Sequence, residues 1–167
     1  MKTKFIFLTG FMGSGKTTIG KKLADKLNMP FYDTDTIIEQ KEKMTIAEIF
    51  VKKGEKYFRN QETITLREIT SNYKKGIVST GGGIVMNEKN IEIMKNSGII
   101  VFLYASFSTL FERIKNSTNR PLVKTENLYN LYQKRLPFYE KATLKINTDD
   151  FKSVDEIVNF LLKKIKV

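Results

Sequence analysis

Residues 10–17 have the residue types and the spacing of a phosphate-binding loop. They read GFMGSGKT, which fits the pattern G-x-x-x-x-G-K-[S/T] at every defined position. Glycines let several backbone N–H groups point into one concavity, and the positive end of the following helix strengthens the field that attracts an anion. The pattern predicts a nucleotide site in which Lys16 reaches the β- and γ-phosphates and the Thr17 hydroxyl ligates Mg²⁺. The residues expected to contact the phosphates are Gly13, Ser14, Gly15, Lys16, Thr17 and Thr18.

Two aspartates and three glycines follow other apolar segments of the chain. Asp33 and Asp35 come at the end of the second predicted strand, and the glycines at 81–83 follow the third. Ligands of open parallel sheets bind outside the carboxyl ends of the strands, so these residues are expected beside the phosphate loop. One aspartate can hold Mg²⁺ through water, and the other can orient or deprotonate a substrate hydroxyl. Helix capping is the competing role, but Thr36 and Glu39 already have the spacing of a capping box.

Three arginines are candidates for binding anionic groups. The planar guanidinium fork of Arg59 or Arg135 suits a carboxylate or a phosphate, although most arginines serve as surface residues. Arg120 stands next to the polar stretch 115–119, which we expect to be a loop between two helices. That position predicts a lid arginine that closes over the γ-phosphate.

The composition excludes several other chemistries. The 167-residue chain contains no cysteine and no histidine, so disulfides, thiolate or imidazole metal sites and a Ser-His-Asp triad are ruled out. Carboxylates, lysine, arginine, hydroxyls and backbone amides remain for catalysis. The guanine-binding pattern N/T-K-x-D is absent, which disfavours a switch GTPase.

The net charge of +11 raises the question of a nucleic-acid partner. The basic residues are scattered, and no three of them are consecutive, so we interpret the charge as a lysine-rich surface and expect no nucleic-acid binding. Steering of small polyanionic substrates is a further use of this charge. The apolar runs are too short for a signal segment or a membrane span, so we expect a cytoplasmic protein without membrane contact. We also expect a monomer.

Short apolar runs alternate with helical patterns along the whole chain. Runs of this kind are typical of strands buried on both faces of a parallel sheet. The sequence therefore predicts an α/β fold with three layers, in which a mostly parallel sheet has helices on both faces, within a single domain over 1–167. Capping boxes are predicted at Thr36, Thr45 and Ser153. The predicted strands are Phe5–Thr9, Pro30–Asp33, Ile77–Thr80, Ile99–Tyr104 and Thr143–Asn147.

The ordered combination of motifs resembles the shikimate kinase family along nearly the whole chain. The motifs are GFMGSGKT (10–17), FYDTDxxIE (31–39), GExxFRxxE (54–62), GGG (81–83), RPL (120–122) and RxPxY (135–139). The resemblance implies a P-loop kinase of the nucleoside-monophosphate-kinase type with a five-stranded parallel sheet in the order 2-3-1-4-5. It also implies that ATP phosphorylates the 3-hydroxyl of shikimate, a step of aromatic amino-acid biosynthesis.

The same resemblance implies roles for individual residues. Lys16, Asp35 and Arg120 would be catalytic, and Mg²⁺ would be bound by Thr17 and, through water, by Asp33. The substrate-binding part would span about 33–62 and the lid about 113–124; the lid motif departs from the family at Val123, where a leucine is usual. Shikimate would be bound by Asp35, Arg59, Gly81, Gly82, Gly83 and Arg135, with Glu62 near Arg59, and adenine would lie against Arg113 and residues 147–149.

Three other functions are weighed against this one. Gluconate kinase shares the fold type and a carboxylate-bearing substrate, but the pair Arg59 and Arg135 with the triple glycine argues against it. A nucleotide kinase would need a second nucleotide pocket and usually more lid arginines. An ATP-gated binding module would have no need for Asp35 to face a hydroxyl.

Overall fold

The computed structural model describes residues 4–116 and 125–165 and shows one parallel sheet of five strands. The strand order is β2-β3-β1-β4-β5, and each of the four neighbouring pairs is parallel, as the resemblance implied. The first strand is therefore central, which places its phosphate loop between the loops that follow β3 and β4. The strands are β1 (Phe5–Thr9), β2 (Phe31–Asp33), β3 (Gly76–Ser79), β4 (Gly98–Tyr104) and β5 (Leu144–Asn147).

Helices cover both faces of this sheet, because successive strand residues point to opposite sides and both sides are apolar. In β1, Phe5 and Phe7 belong to one core cluster, while Ile6 and Leu8 belong to the other. The predicted three-layer α/β architecture is confirmed. The helices are α1 (Lys16–Leu27), α2 (Thr34–Glu42), α3 (Ile46–Lys53), α4 (Glu55–Asn72), α5 (Glu88–Ser97), α6 (Phe107–Lys115), α7 (Thr125–Tyr139) and α8 (Val154–Lys164), with short 3₁₀ helices at Ile84–Met86 and Thr148–Asp150.

A separate small core lies beneath α2, α3 and α4. Ile38, Ile49 and Phe58, one from each helix, are almost fully buried against one another. Burial of three such side chains stabilises their contact by several kcal/mol, at roughly 1.5–3 kcal/mol per side chain. This packing fixes the N-terminal turn of α4, which carries Arg59, relative to α2, which carries Asp35.

The start of α2 differs from the prediction. The helix begins at Thr34, directly after β2, so the capping residue is Asp33 and the predicted box of Thr36 with Glu39 is wrong. Asp33 Oδ1 accepts a hydrogen bond from the backbone N–H of Thr36 at 3.1 Å, and Glu39 instead accepts from the N–H of Ile46. Asp33 is both the last residue of β2 and the cap of α2, so no residue is left to form a connecting turn.

The predicted box at Thr45 is confirmed, and the one at Ser153 is half formed. Thr45 accepts from the backbone N–H of Glu48, and the Glu48 carboxylate accepts from the N–H of Thr45 at 2.8 Å. Ser153 caps α8 through the N–H of Glu156, but the Glu156 carboxylate accepts from the N–H of Lys152. Within the ranges described, the structure has no helix long and apolar enough to span a bilayer.

Replacing Thr45 with alanine is expected to lower the free energy of unfolding by about 1 kcal/mol, because the first turn of α3 loses its side-chain acceptor. Thr36→Ala is the matched control: its backbone N–H keeps the bond to Asp33, and its side chain is exposed, so the change should stay below about 0.5 kcal/mol. Urea denaturation of both variants measures the difference. Equal losses in the two variants would contradict this account of the helix starts.

Candidate active site

The phosphate loop is shaped to bind an anion. Gly15 precedes α1 with φ of 89°, a left-handed conformation that strains other residues, and no side chain caps the first N–H groups of this fully described helix. The buried Lys16 ammonium lies within the loop, where it donates to the carbonyls of Gly10 at 2.8 Å and Phe11 at 3.1 Å. Uncapped amides and a central ammonium are the donors that phosphate oxygens need.

A cluster of oxygen atoms lies beside this loop at the ends of β2 and β3. Thr17 Oγ1 donates to Asp33 Oδ2 at 3.1 Å and lies 3.3 Å from Ser79 Oγ. Hydroxyl and carboxylate oxygens are the ligands that Mg²⁺ prefers, so Thr17 and Asp33, together with Ser79, fit this ion. Groups of three or more metal-ligating carboxylates do not occur among residues 4–116 and 125–165, so phosphate oxygens and water would complete the coordination.

Asp33 caps α2 and faces the phosphate loop at the same time. Its Oδ1 accepts from the N–H of Thr36 while its Oδ2 accepts from Thr17. The cap holds the carboxylate in one orientation, so the two roles that the sequence analysis set against each other are compatible. The sequence analysis did not identify Ser79; the signal for it is its position at the carboxyl end of β3, in register with Asp33.

The outer two glycines of the triple-glycine loop lie against the predicted substrate-binding residues. A Cβ on Gly81 would come within 2.6 Å of Asp35 Oδ1 and 2.8 Å of Glu62 Oε1. A Cβ on Gly83 would overlap the Arg59 guanidinium. A side chain at either position would displace these functional groups, so the two glycines allow the groups to stay where they are.

The middle glycine connects the phosphate loop to Arg135. A Cβ on Gly82 would lie 3.2 Å from Arg135 Nη1 and 3.4 Å from the carbonyl oxygen of Gly10. Arg135 is almost fully buried, and its guanidinium lies over the ring of Phe11, 5.8 Å from the ring centroid. The predicted nucleotide loop and the predicted acid-binding arginine therefore lie beside the same short segment.

A hydroxyl that the sequence analysis did not identify holds this glycine loop to α2. The backbone N–H of Gly81 donates to Thr34 Oγ1 at 3.0 Å, and Thr34 is fully buried. On the other side, Thr80 Oγ1 donates to the carbonyl of Leu8 at 2.9 Å. Thr34 stands between Asp33 and Asp35 in the chain, and this position is the only sequence signal for it.

Arg59 and Arg135 line one open cavity of about 260 Å³. Glu62 and Glu55 line it as well, and they form ion pairs with Arg59 at 2.8 and 3.3 Å. Lys134 adds a third cation at the wall of the cavity. The space suits a small molecule with at least one anionic group, because three cations face two carboxylates in it.

Glu62 is a buried carboxylate within this group of charges. Burial raises its pKa to about 7, and the charge of the nearby Asp35 acts in the same direction; the guanidinium and the hydrogen bond of Arg59, and the charge of Arg135, oppose the shift. Glu62 Oε2 accepts from Arg59, whereas its Oε1 has no hydrogen-bond donor among the residues described. An ionised Glu62 therefore offsets part of the positive charge of the two arginines, and a protonated Glu62 does not.

Among the residues expected at the adenine end, Arg113 lies beside the phosphate loop. Arg113 donates to the carbonyl of Gly13 at 3.0 Å, and Thr18 lies exposed in the first turn of α1. Asp149 accepts from the backbone N–H of Ser106 at 2.7 Å, and this bond is the main reason that its pKa lies below the ordinary value. These contacts place Arg113 beside the loop, and its role toward adenine stays a prediction.

Two predictions concern residues that the structure does not describe. Arg120, the expected lid arginine, falls within 117–124, outside the described residues. The predicted lid of 113–124 is described only as far as residue 116, so its extent also stays a prediction.

A central strand that leads into an uncapped phosphate loop, with the sheet order β2-β3-β1-β4-β5, defines a P-loop kinase. A family model described as shikimate kinase matches residues 12–166. Shikimate kinase of Sulfurihydrogenibium sp. is 46% identical over 165 residues, which cover 98% of each chain. This chain belongs to the shikimate kinase family.

Solved structures agree with that assignment. Shikimate kinase of Acinetobacter baumannii, solved in complex with shikimate, superposes with a TM-score of 0.90 at 38% identity, over 98% of this chain and 93% of that one. A gluconokinase of Sinorhizobium meliloti superposes with a TM-score of 0.58 at 20% identity, over 98% of this chain and 91% of that one. The second likeness shows a shared fold only, so the gluconate kinase alternative is only distantly related.

We predict that Glu62 makes the protein less stable as the pH rises from about 5 to about 7. Its pKa is about 7 in the folded state and near 4.5 in the unfolded chain, so in this window the folded state binds a proton that the unfolded state has released. The free energy of unfolding should fall through the window and level off above it. Glu62→Gln should remove that part of the pH dependence.

Urea denaturation at pH 5, 6, 7 and 8 measures this effect. Glu68→Gln, a half-exposed carboxylate on the same helix, is the control that should keep the wild-type pH dependence. If Glu62→Gln kept the wild-type decline between pH 5 and 7, Glu62 would not be the group that titrates there.

Proposed function

We propose that this protein is a shikimate kinase in activity, transferring the γ-phosphoryl group of ATP to the 3-hydroxyl of shikimate in aromatic amino-acid biosynthesis. The observation that carries the proposal is the shared glycine loop: Gly82 lies against both Arg135 and the phosphate-loop residue Gly10. A carboxylate held by arginine at this loop would stand beside a triphosphate held by the amides of α1. The family relative solved with shikimate supports the choice of acid.

The nucleotide side of the reaction uses the loop and the first turn of α1. Lys16 would exchange its bonds with the loop carbonyls for bonds to the β- and γ-phosphates, and Arg113 would lie against adenine. Mg²⁺, when bound by Thr17 and, through water, by Asp33, neutralises the phosphate charge that builds up during transfer. The phosphate contacts would come from Gly13, Ser14, Gly15, Lys16, Thr17 and Thr18.

The acid side of the reaction uses the arginines and Asp35. Arg59 and Arg135 line the same cavity, and their planar forks would hold the carboxylate of the acid in one orientation. Asp35 lies against Gly81, at the end of the loop nearest the metal-binding oxygens. Its carboxylate would accept a hydrogen bond from the 3-hydroxyl and orient it for attack.

Phosphoryl transfer then requires positioning and charge stabilisation more than covalent chemistry by the protein. The hydroxyl oxygen forms its bond to the γ-phosphorus as the bond to the bridging oxygen breaks and ADP leaves. The hydroxyl proton passes toward Asp35. We further propose that Arg120 closes over the γ-phosphate with the lid and excludes water.

The remaining proposals concern the surroundings of the enzyme. We propose a cytoplasmic monomer that occupies one domain and does not bind nucleic acid. The charge distribution supports the last point, since exposed lysines on separate elements pair with carboxylates, as Lys22 does with Asp155 and Lys141 with Glu88. Pairing of this kind disperses the positive charge over the surface rather than forming a continuous basic patch.

Release of ADP from ATP and Mg²⁺ should depend on shikimate and not on gluconate or AMP. The reason is that Arg59, Arg135 and Gly83 line one cavity, which would hold the carboxylate of a small ring beside the phosphate loop. A coupled ADP-release assay with the three acceptors side by side, and with no acceptor, measures this. Faster turnover with gluconate or AMP than with shikimate would refute the proposed function.

Asp35→Asn should lower kcat by about 100-fold, because an amide cannot take up the hydroxyl proton. The KM for ATP should stay within about twofold, since Asp35 lies on the acid side of the glycine loop. The control is Asp155→Asn, an exposed aspartate paired with Lys22, which should turn over like the wild type. Near wild-type kcat in Asp35→Asn would remove Asp35 from the mechanism.

A further inference from the structure

Tyr139 is the last residue of the RxPxY motif, and the proposed function gives it no role. It is fully buried at the end of α7, and its ring stacks on Phe102 with centroids 4.9 Å apart and planes 14° apart. Its hydroxyl donates a hydrogen bond to the carbonyl oxygen of Gly82, the middle glycine of the loop. A phenylalanine would fill the same apolar space as the Tyr139 ring. The tyrosine adds a hydroxyl held in a fixed position.

The same hydroxyl also lies near Arg135. The two residues are four apart on α7 and therefore lie on the same face of the helix. The Tyr139 oxygen gives its proton to Gly82, burial keeps the phenol neutral by raising its pKa, and the charge of the nearby Arg135 opposes that rise. The hydroxyl therefore fixes the glycine loop on the face of α7 that also carries the acid-binding arginine.

The bond to the Gly82 carbonyl orients a backbone donor as well. A peptide unit is planar and trans, so the N–H of Gly83 points away from the side on which Tyr139 holds the Gly82 carbonyl. Glycine peptides rotate easily unless an outside contact fixes them. Gly83 lines the cavity that Arg59 and Arg135 also line, and among the residues described no acceptor is bonded to its N–H.

We propose that Tyr139 is a positioning residue that sets two donors for the substrate carboxylate, the Gly83 N–H and the Arg135 guanidinium. The proposal rests on the proposed function, because it assigns these donors to the acid. Tyr139 does not touch the acid itself and acts through Gly82 and Arg135. Its effect should therefore appear in acid binding and not in nucleotide binding.

Tyr139→Phe is the direct test, because it keeps the ring on Phe102 and removes only the oxygen. We expect the KM for shikimate to rise roughly tenfold, the cost of one hydrogen bond to a charged group, while the KM for ATP and kcat change less than about threefold. Tyr104→Phe is the matched control, since Tyr104 also packs on Phe102, with ring centroids 5.2 Å apart, and has no contact with the glycine loop. It should behave like the wild type.

Two kinetic results would overturn the proposal: an unchanged KM for shikimate in Tyr139→Phe, or equal rises in both KM values together with a lower melting temperature. The second pattern would mean that the hydroxyl serves only the stability of the fold. The wild-type protein is assayed before any variant is compared. If it showed no shikimate-dependent turnover, that result would instead refute the proposed function.

A measurement on the wild-type protein covers the case in which Tyr139→Phe does not fold. The chain has ten glycines, so a spectrum labelled only at glycine ¹⁵N is simple enough to assign. The amide signal of Gly83 should shift as shikimate is added, because its N–H becomes bonded to the carboxylate. A Gly83 signal that does not move at saturating shikimate would overturn the proposal.

Discussion

The absence of side chains at residues 81–83 is the constraint on which the site depends. Each of the three glycines lies against a different functional group: the first against two carboxylates, the second against Arg135 and the phosphate loop, and the third against Arg59. Because the glycines have no side chains, groups from α2, α4 and α7 approach the end of a single strand. The site is compact because the backbone, rather than a side chain, forms its floor.

The cost of this compactness is a set of buried charges. Glu62 and Arg135 are almost fully buried, and Arg59 is three-quarters buried. Charges removed from water are stable only when they are paired and hydrogen-bonded. The arrangement answers that need with the Arg59–Glu62 pair, the aromatic ring beneath Arg135 and the Tyr139 oxygen. The same pairing holds the arginines in position before any ligand arrives, which lowers the entropy lost on binding.

The described part of the site rests on the fold of the sheet. The phosphate loop, the glycine loop, Arg59 and Arg135 all lie on strands or on helices packed against the sheet. Arg120 and most of the predicted lid fall within 117–124, outside the described residues. A scaffold that fixes the reacting groups and a separate segment that closes over them is the usual division of labour in enzymes that must exclude water.

The sequence by itself determined the elements and the chemistry. The apolar runs predicted all five strands to within a residue or two, because strands buried on both faces must be apolar throughout. The phosphate loop could be read from its pattern, because its function depends on backbone glycines at set spacings. The candidate site residues came from their types and positions, whereas the strand order and the assignment of single residues to the acid and to adenine came from the resemblance to a family.

Only the tertiary structure decided how these parts meet. The sequence favoured Thr36 as the cap of α2, but the helix begins directly after β2 and Asp33 takes that place. Ser79, Thr34 and Tyr139 have positions in the sequence that draw attention to them but do not reveal their partners, since a hydroxyl acquires a role only from the atoms that the fold brings beside it. The raised pKa of Glu62 likewise arises from burial among groups distant in sequence, which no local pattern contains.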